Sequence, residues 1–111
     1  GYICSNPFCR RVTVGPQIGG EKTVNIGEAA HICAASPGGK RYDPEMTSDK
    51  RKSVDNGIWM CRTHAALIDR DEKYFTVEML KKWKEDAERE AGNRLIGQET
   101  IKNANLECLF L

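Results

Sequence analysis

No apolar run in this chain approaches the roughly 20 residues that cross a bilayer, which excludes a membrane-spanning helix from the sequence as written. The opening Gly1-Tyr2-Ile3-Cys4 shows neither the basic flank nor the apolar core of a secretory leader. The expectation from that absence is a cytoplasmic protein. A strong charge of one sign is missing too: the formal net charge is +1. Many nucleic-acid binders of this size carry a marked basic excess, so charge alone decides nothing about partners. Internal repeats and low-complexity tracts are absent, and an even cysteine set is absent as well. The five cysteines stand at 4, 9, 33, 61 and 108. An odd number without secretory context argues against a disulfide framework and for metal ligation.

What is present suits one small soluble domain. A chain of 111 residues with 40% hydrophobic and 30% charged residues builds a single modest core. The basic residues gather as Arg10-Arg11, Lys40-Arg41, Lys50-Arg51-Lys52 and Lys81-Lys82, an ordinary pattern for solvated faces.

Punctuation along the chain divides it into short elements. A knuckle-like Cys4-Ser5-Asn6-Pro7-Phe8-Cys9 precedes a Val12-Thr13-Val14 stretch and a Gly/Pro turn region. The β-branched run from Val24 to Ile32 predicts one strand, ended by Ser36-Pro37-Gly38-Gly39. Thr47 is placed to cap a short helix through Lys52. Gly57–Cys61 reads as an apolar strand behind the turn formers Asp55-Asn56, and 63–69 as a short helix. Thr76 caps the longest helix, expected over 77–91. There Val77, Leu80, Trp83 (or the stem of Lys84), Ala87 and Ala91 recur at helical spacing, with Gly92-Asn93 as the stop. The fold class is therefore α+β, ending in a long helix. The remainder, 94–111, reads as a tail or a linker toward a possible partner domain, with an apolar end at Leu106–Leu111.

Two close ligand pairs, Cys4-x4-Cys9 and Cys61-x2-His64, are half the chain apart. Thiolates and imidazole are the donors tetrahedral Zn²⁺ prefers, and two pairs would close the site. Such a zinc is structural, since no coordination position remains for a substrate. Cys33 and Cys108 have no near partner and are expected to pack as small apolar residues.

The segments Gly27-Glu28-Ala29-Ala30-His31-Ile32 and Asp55-Asn56-Gly57-Ile58-Trp59-Met60-Cys61-Arg62-Thr63-His64-Ala65-Ala66-Leu67-Ile68-Asp69 resemble the HNH endonuclease family. The likeness spans roughly residues 4–90. It is nearest the bacterial branch whose second zinc pair immediately precedes the last motif histidine, and some members of that branch are effector domains joined to sensors in antiviral defence. The resemblance implies a ββα-metal (His-Me finger) nuclease domain over 1–93 with a zinc knuckle. His31 matches the general base, and Asn56 the residue that orients the loop or helps hold the metal. Ala65 occupies the place of the final histidine, so the implied site is inactivated or weakened. Many members also carry an aspartate ligand directly before the base, where this chain has Ala30.

Phosphodiester hydrolysis needs a deprotonated water aimed in line with the leaving oxygen, and an imidazole titrates near the working pH. The family implies a single catalytic Mg²⁺ or Mn²⁺ that neutralises the phosphate. Asp69 shares a helix face with position 65 at i+4, and Glu28 shares a strand face with Ala30. These two carboxylates are the candidate catalytic-metal ligands. Lys40, Arg41, Arg62 and Arg70 are the candidate phosphate-binding residues for DNA, expected to be double-stranded and bound with steep salt dependence. The alternatives are a non-catalytic zinc-dependent nucleic-acid-binding module and a zinc-stabilised protein-interaction module. A homodimer is one further expectation for a cutter of both strands.

Overall fold

In the computed structural model the described residues are 2–97. Two antiparallel hairpins and three helices follow one another along the chain. Strand β1 (Val14–Pro16) pairs with β2 (Thr23–Asn25), and β3 (Gly27–His31) pairs with β4 (Gly57–Cys61). Helix α1 (Ser48–Lys52) lies in the long connection between β3 and β4, and a single 3₁₀ turn at Val54–Asn56 leads into β4. Helix α2 (Arg62–Arg70) follows β4 directly, and α3 (Val77–Ile96) closes the fold.

The run expected as one strand from Val24 to Ile32 is broken at Ile26. The backbone there serves two distant partners: Ile26 N–H donates to the Thr13 carbonyl at 2.8 Å, and its own carbonyl accepts from Arg62 N–H at 3.0 Å. The chain therefore leaves one hairpin and enters the other at this residue. In the second hairpin the register sets Gly27 opposite Cys61, Ala29 opposite Trp59 and His31 opposite Gly57.

The helix starts follow the local chemistry. The Thr47 hydroxyl accepts from Lys50 N–H and the Thr76 hydroxyl from Met79 N–H, each satisfying one of the orphan donors of a first turn. The long helix does not stop at Gly92-Asn93 but continues to Ile96. Gly97, at φ +78°, supplies the left-handed cap, a conformation that favours glycine. A glycine within a helix costs only about 1 kcal/mol relative to alanine, too little by itself to end one. The expected boundary at 93 thus falls inside α3. The Leu106–Leu111 segment and Cys108 lie outside the described residues.

The core sits between the β3–β4 hairpin and α2. Ile32, Ile58, Met60, Ile68 and Leu80 are fully buried, with Phe75, Ala30, Ala65 and Cys33 beside them. Cys33 accordingly packs as a small apolar residue. Leu80 is the most deeply buried residue of α3, Trp83 meets Phe75 edge-on at 5.8 Å, and Ala87 and Ala91 face Ile3 and Trp59 across a narrow cleft. The Arg10–Glu90 ion pair at 3.2 Å ties α3 to the N-terminal loop. No helix among the described residues is long and apolar enough to cross a membrane.

Gly27 is fixed by its neighbours. A Cβ there would collide with the Trp59 indole and fall 2.8 Å from Thr13 Oγ1. That indole is itself anchored, since Nε1 donates to Thr13 Oγ1 at 2.8 Å. Gly27→Ala is expected to lower stability by about 1–3 kcal/mol through overpacking, read as a fall in the midpoint of denaturant unfolding.

Candidate metal centre and the adjoining pocket

The N-terminal loop is shaped by a buried asparagine. Asn6 Oδ1 accepts from Phe8 N–H at 2.9 Å, and its backbone carbonyl accepts from Cys9 and Arg10 N–H at 3.0 and 3.1 Å. Arg10 then takes a left-handed φ of +54°. This turn aims Cys4 and Cys9 the same way, and Ser5 N–H, donating to the Trp59 carbonyl at 2.9 Å, fastens the loop to β4. Asn6 carries this organisation without any expectation from spacing. Its signal is the side chain's habit of bonding the backbone two residues on.

The second pair comes from the junction of β4 and α2. Cys61 ends the strand and serves as the N-cap residue of the helix, and His64 stands in its first turn. His64 Nδ1 lies 3.3 Å from Cys61 Sγ and 3.6 Å from Cys4 Sγ. The ligand atoms of Cys4, Cys9, Cys61 and His64 all fall within 4.8 Å of one another. Ordinary Zn–S and Zn–N bond lengths in a tetrahedron require donor separations of roughly 3.6–3.8 Å. The four residues are positioned to bind a metal such as zinc, with Cys4 and Cys61 buried and the other two half-buried.

Burial pushes the Cys4 thiol from its ordinary 9.0 up to about 11. In the metal-free fold the protonated thiol is thus the favoured form at neutral pH, and the stability it contributes is full below about 9 and lost as pH rises from there through about 11. Metal must displace the proton, so affinity rises with pH. One zinc per chain is expected by elemental analysis. Competition with a chromogenic chelator should show affinity falling steadily from pH 8 to pH 6, and Cys9→Ser or His64→Ala should each lower zinc content well below one.

Beside this centre, an open pocket of about 500 Å³ is lined by Glu28, His31, Lys40, Ala65 and Asp69, among others. His31 is exposed at the end of β3, and Glu28 is exposed three residues before it. Ala30 and Ala65, both buried members of the core, form the pocket floor. Asp69 is one turn further along α2, and its Oδ1 accepts from Arg41 Nη2 at 3.1 Å.

Arg41 departs from its expected role. Its side chain is 4% exposed, and its guanidinium donates to the carbonyls of Ile32 and Ile68 at 2.7 Å each and of His31 at 3.3 Å, besides Asp69. Those bonds commit it to joining the end of β3 to the end of α2, rather than to an incoming phosphate. Lys40 lines the pocket rim and stands 3.8 Å from Glu72. Arg62 and Arg70 are exposed on α2 outside the pocket lining.

Asn56 does not reach the pocket either. Its Oδ1 accepts from Cys33 N–H at 2.9 Å, and its Nδ2 donates to the carbonyls of Cys33 and Arg51 at 2.9 and 3.0 Å. The amide is spent on holding the loop that follows β3. Glu28, His31 and Asp69 share a pocket, yet among the described residues Cys4, Cys9, Cys61 and His64 are the only group of three or more donors that converges. Among the described residues, no second convergent donor set supports a catalytic Mg²⁺ or Mn²⁺.

No protein-family model and no curated protein sequence matches this chain.

Truncating the buried amide leaves backbone groups of Cys33 unpaired. Asn56→Ala is expected to cost roughly 2–4 kcal/mol, measured by chemical denaturation of the zinc-loaded protein.

Proposed function

We propose that this chain is an endonuclease module of the HNH type, built to hydrolyse phosphodiester bonds in DNA and weakened here by alanine at two ligand positions. One observation carries the reading: His31 on the first strand of a hairpin and position 65 on the helix behind it open onto the same pocket, with Glu28, Asp69 and Lys40 around them. Strand, strand and helix in that order, stapled by four metal donors at the strand–helix junction, are what the resemblance in sequence calls for.

The roles follow from what each group can do. An exposed imidazole can take a proton from a water held against a phosphodiester. Lys40 at the rim supplies positive charge to a phosphate. Asp69 and Glu28 are the carboxylates available to a divalent ion, and they fall short of a ligand set without a third donor. An imidazole at 65 would stand one helical turn before Asp69, on the same face. An aspartate at 30 would add a carboxylate directly before the base.

A second reading has its own support. The converging donor set is confined to the zinc site, and the pocket floor is made of two methyl groups, Ala30 and Ala65. A zinc-dependent nucleic-acid-binding module without catalysis would look the same.

Plasmid nicking in Mg²⁺ or Mn²⁺ separates the two. The chain as written is expected to nick at or near background, Ala65→His to raise the rate by one or more orders of magnitude, and Ala30→Asp with Ala65→His to raise it further. His31→Ala in the doubly restored chain should abolish cleavage with zinc content unchanged. Equal background rates in all forms, on plasmid and on single-stranded DNA alike, would remove the hydrolytic reading and leave the binding module.

A further inference from the structure

Strand alternation gives the β3–β4 hairpin a second face, turned away from α2. Ile58 and Met60 of β4 and Ala30 of β3 point into the core, so Gly27, Ala29 and His31 fall on the other side with Gly57 and Trp59. Ala29 stands directly across from Trp59, and His31 across from Gly57, which makes His31 and Trp59 diagonal neighbours on one face. The two residues between them, Ala29 and Gly57, carry a methyl group and no side chain. Their smallness leaves a groove of about 400 Å³ between the indole and the imidazole, a volume within the range of about 300–1,000 Å³ typical of small-ligand sites.

The groove's chemistry is selective. Its rim holds Arg51, Lys52 and Lys84, and its lining contains no carboxylate. Lys84 pairs with Glu88 at 2.8 Å and Arg51 leans over the Tyr42 ring, whereas Lys52 is exposed on α1. Trp59 Nε1 is already taken by Thr13, so the indole offers the groove only ring carbon surface. Exposed Val54 adds a further apolar wall. Apolar ring surface with an exposed lysine beside it is the combination that holds an unpaired base while tracking its phosphate. His31, at the end of β3, lines this groove and the Glu28–Asp69 pocket alike, so the two meet at the strand end.

We infer that this groove is a subsite for an unpaired nucleotide adjoining the phosphodiester at His31, and that the preferred substrate is single-stranded or locally opened nucleic acid. The inference rests on the proposed nuclease reading but is tested without cleavage. With Trp83→Phe as the background, Trp59 is the sole indole, and its emission reports the groove directly. Zinc-loaded protein, without added Mg²⁺ or Mn²⁺, is titrated with a single-stranded oligodeoxythymidine. Saturable quenching of Trp59 is expected, with affinity reduced about tenfold by Lys52→Glu, which loses and repels a phosphate contact, and by Ala29→Leu, which fills the groove. A mixed-sequence single strand should bind more tightly than the duplex of the same sequence.

Absence of quenching, affinities within twofold in both variants, or equal or stronger binding of the duplex would overturn the subsite. Zinc content and far-ultraviolet circular dichroism verify that each variant is folded before it is compared. Loss of binding with cleavage retained in the Ala65→His chain would sink the groove alone. Retained binding with no cleavage in any restored form would sink the hydrolytic reading and leave the groove as a binding site.

Discussion

The four-donor cluster of Cys4, Cys9, Cys61 and His64 is the contact on which the remaining geometry depends. It joins the first residues of the fold to the point where β4 ends and α2 begins, so a single metal would restrain two segments that share no strand ladder. The fully buried core is small, resting chiefly on Ile32, Ile58, Met60, Ile68 and Leu80. A core of that size supplies limited stability by itself, and metal binding to such a site is folding free energy. The direction of the Cys4 shift agrees: a thiol held up to about 11 by burial is a group that the metal-free fold keeps protonated and that metal would convert to thiolate.

Helix α2 is then pinned at both ends by different chemistry. At its start Cys61 and His64 are metal donors. At its end Arg41 is turned away from solvent, giving its guanidinium to the Ile68 carbonyl and the Asp69 carboxylate on one side and to the carbonyls of His31 and Ile32 on the other. A buried arginine costs desolvation unless its donors are met, and here four bonds meet them. Asn56 has the matching role at the neighbouring strand, closing the loop after β3 onto the turn before β4. The ends of β3 and α2, which border the pocket, are therefore fixed by backbone-directed polar bonds, while the pocket floor is apolar.

Much of this is legible in the residues because the signals are local. Paired cysteine and histidine spacings announce the metal centre, and Thr47 and Thr76 announce helix starts that the hydroxyl bonds bear out. Two departures share a cause, which is dependence on partners distant in sequence. Nothing near Ile26 says that the strand must break there; the reason lies at Thr13 and Arg62. Gly92-Asn93 is a sound local stop, but one helical glycine costs only about 1 kcal/mol, and the helix runs on until Gly97, at φ +78°, provides a better end. Lys40-Arg41 reads in sequence as a pair of surface cations. The two are separated by environment alone, one at the pocket rim and the other turned inward at φ +57°, and only the positions of Ile68 and Asp69 show it.

The same pocket shows why fold and chemistry are separable in this chain. None of the four donors lines it, so in the proposed nuclease changes at Ala30 and Ala65 would alter the chemistry without touching the staple. Both alanines belong to the core, and larger side chains there would ordinarily overpack it at about 1–3 kcal/mol each. Because both lie on the floor of an open volume, an added side chain has space in front of it, and the cost falls as far as that space is used. The electrostatic side is less forgiving. A divalent ion entering the pocket meets a carboxylate at Asp69 whose Oδ1 is already engaged by Arg41, and only Oδ2 has no partner among the described residues. Such an ion would compete with a guanidinium that also fastens β3 to α2, so its binding would be coupled to the position of His31. Added donors at 30 and 65 would strengthen the ion's side of that competition while leaving Arg41 its three backbone carbonyls.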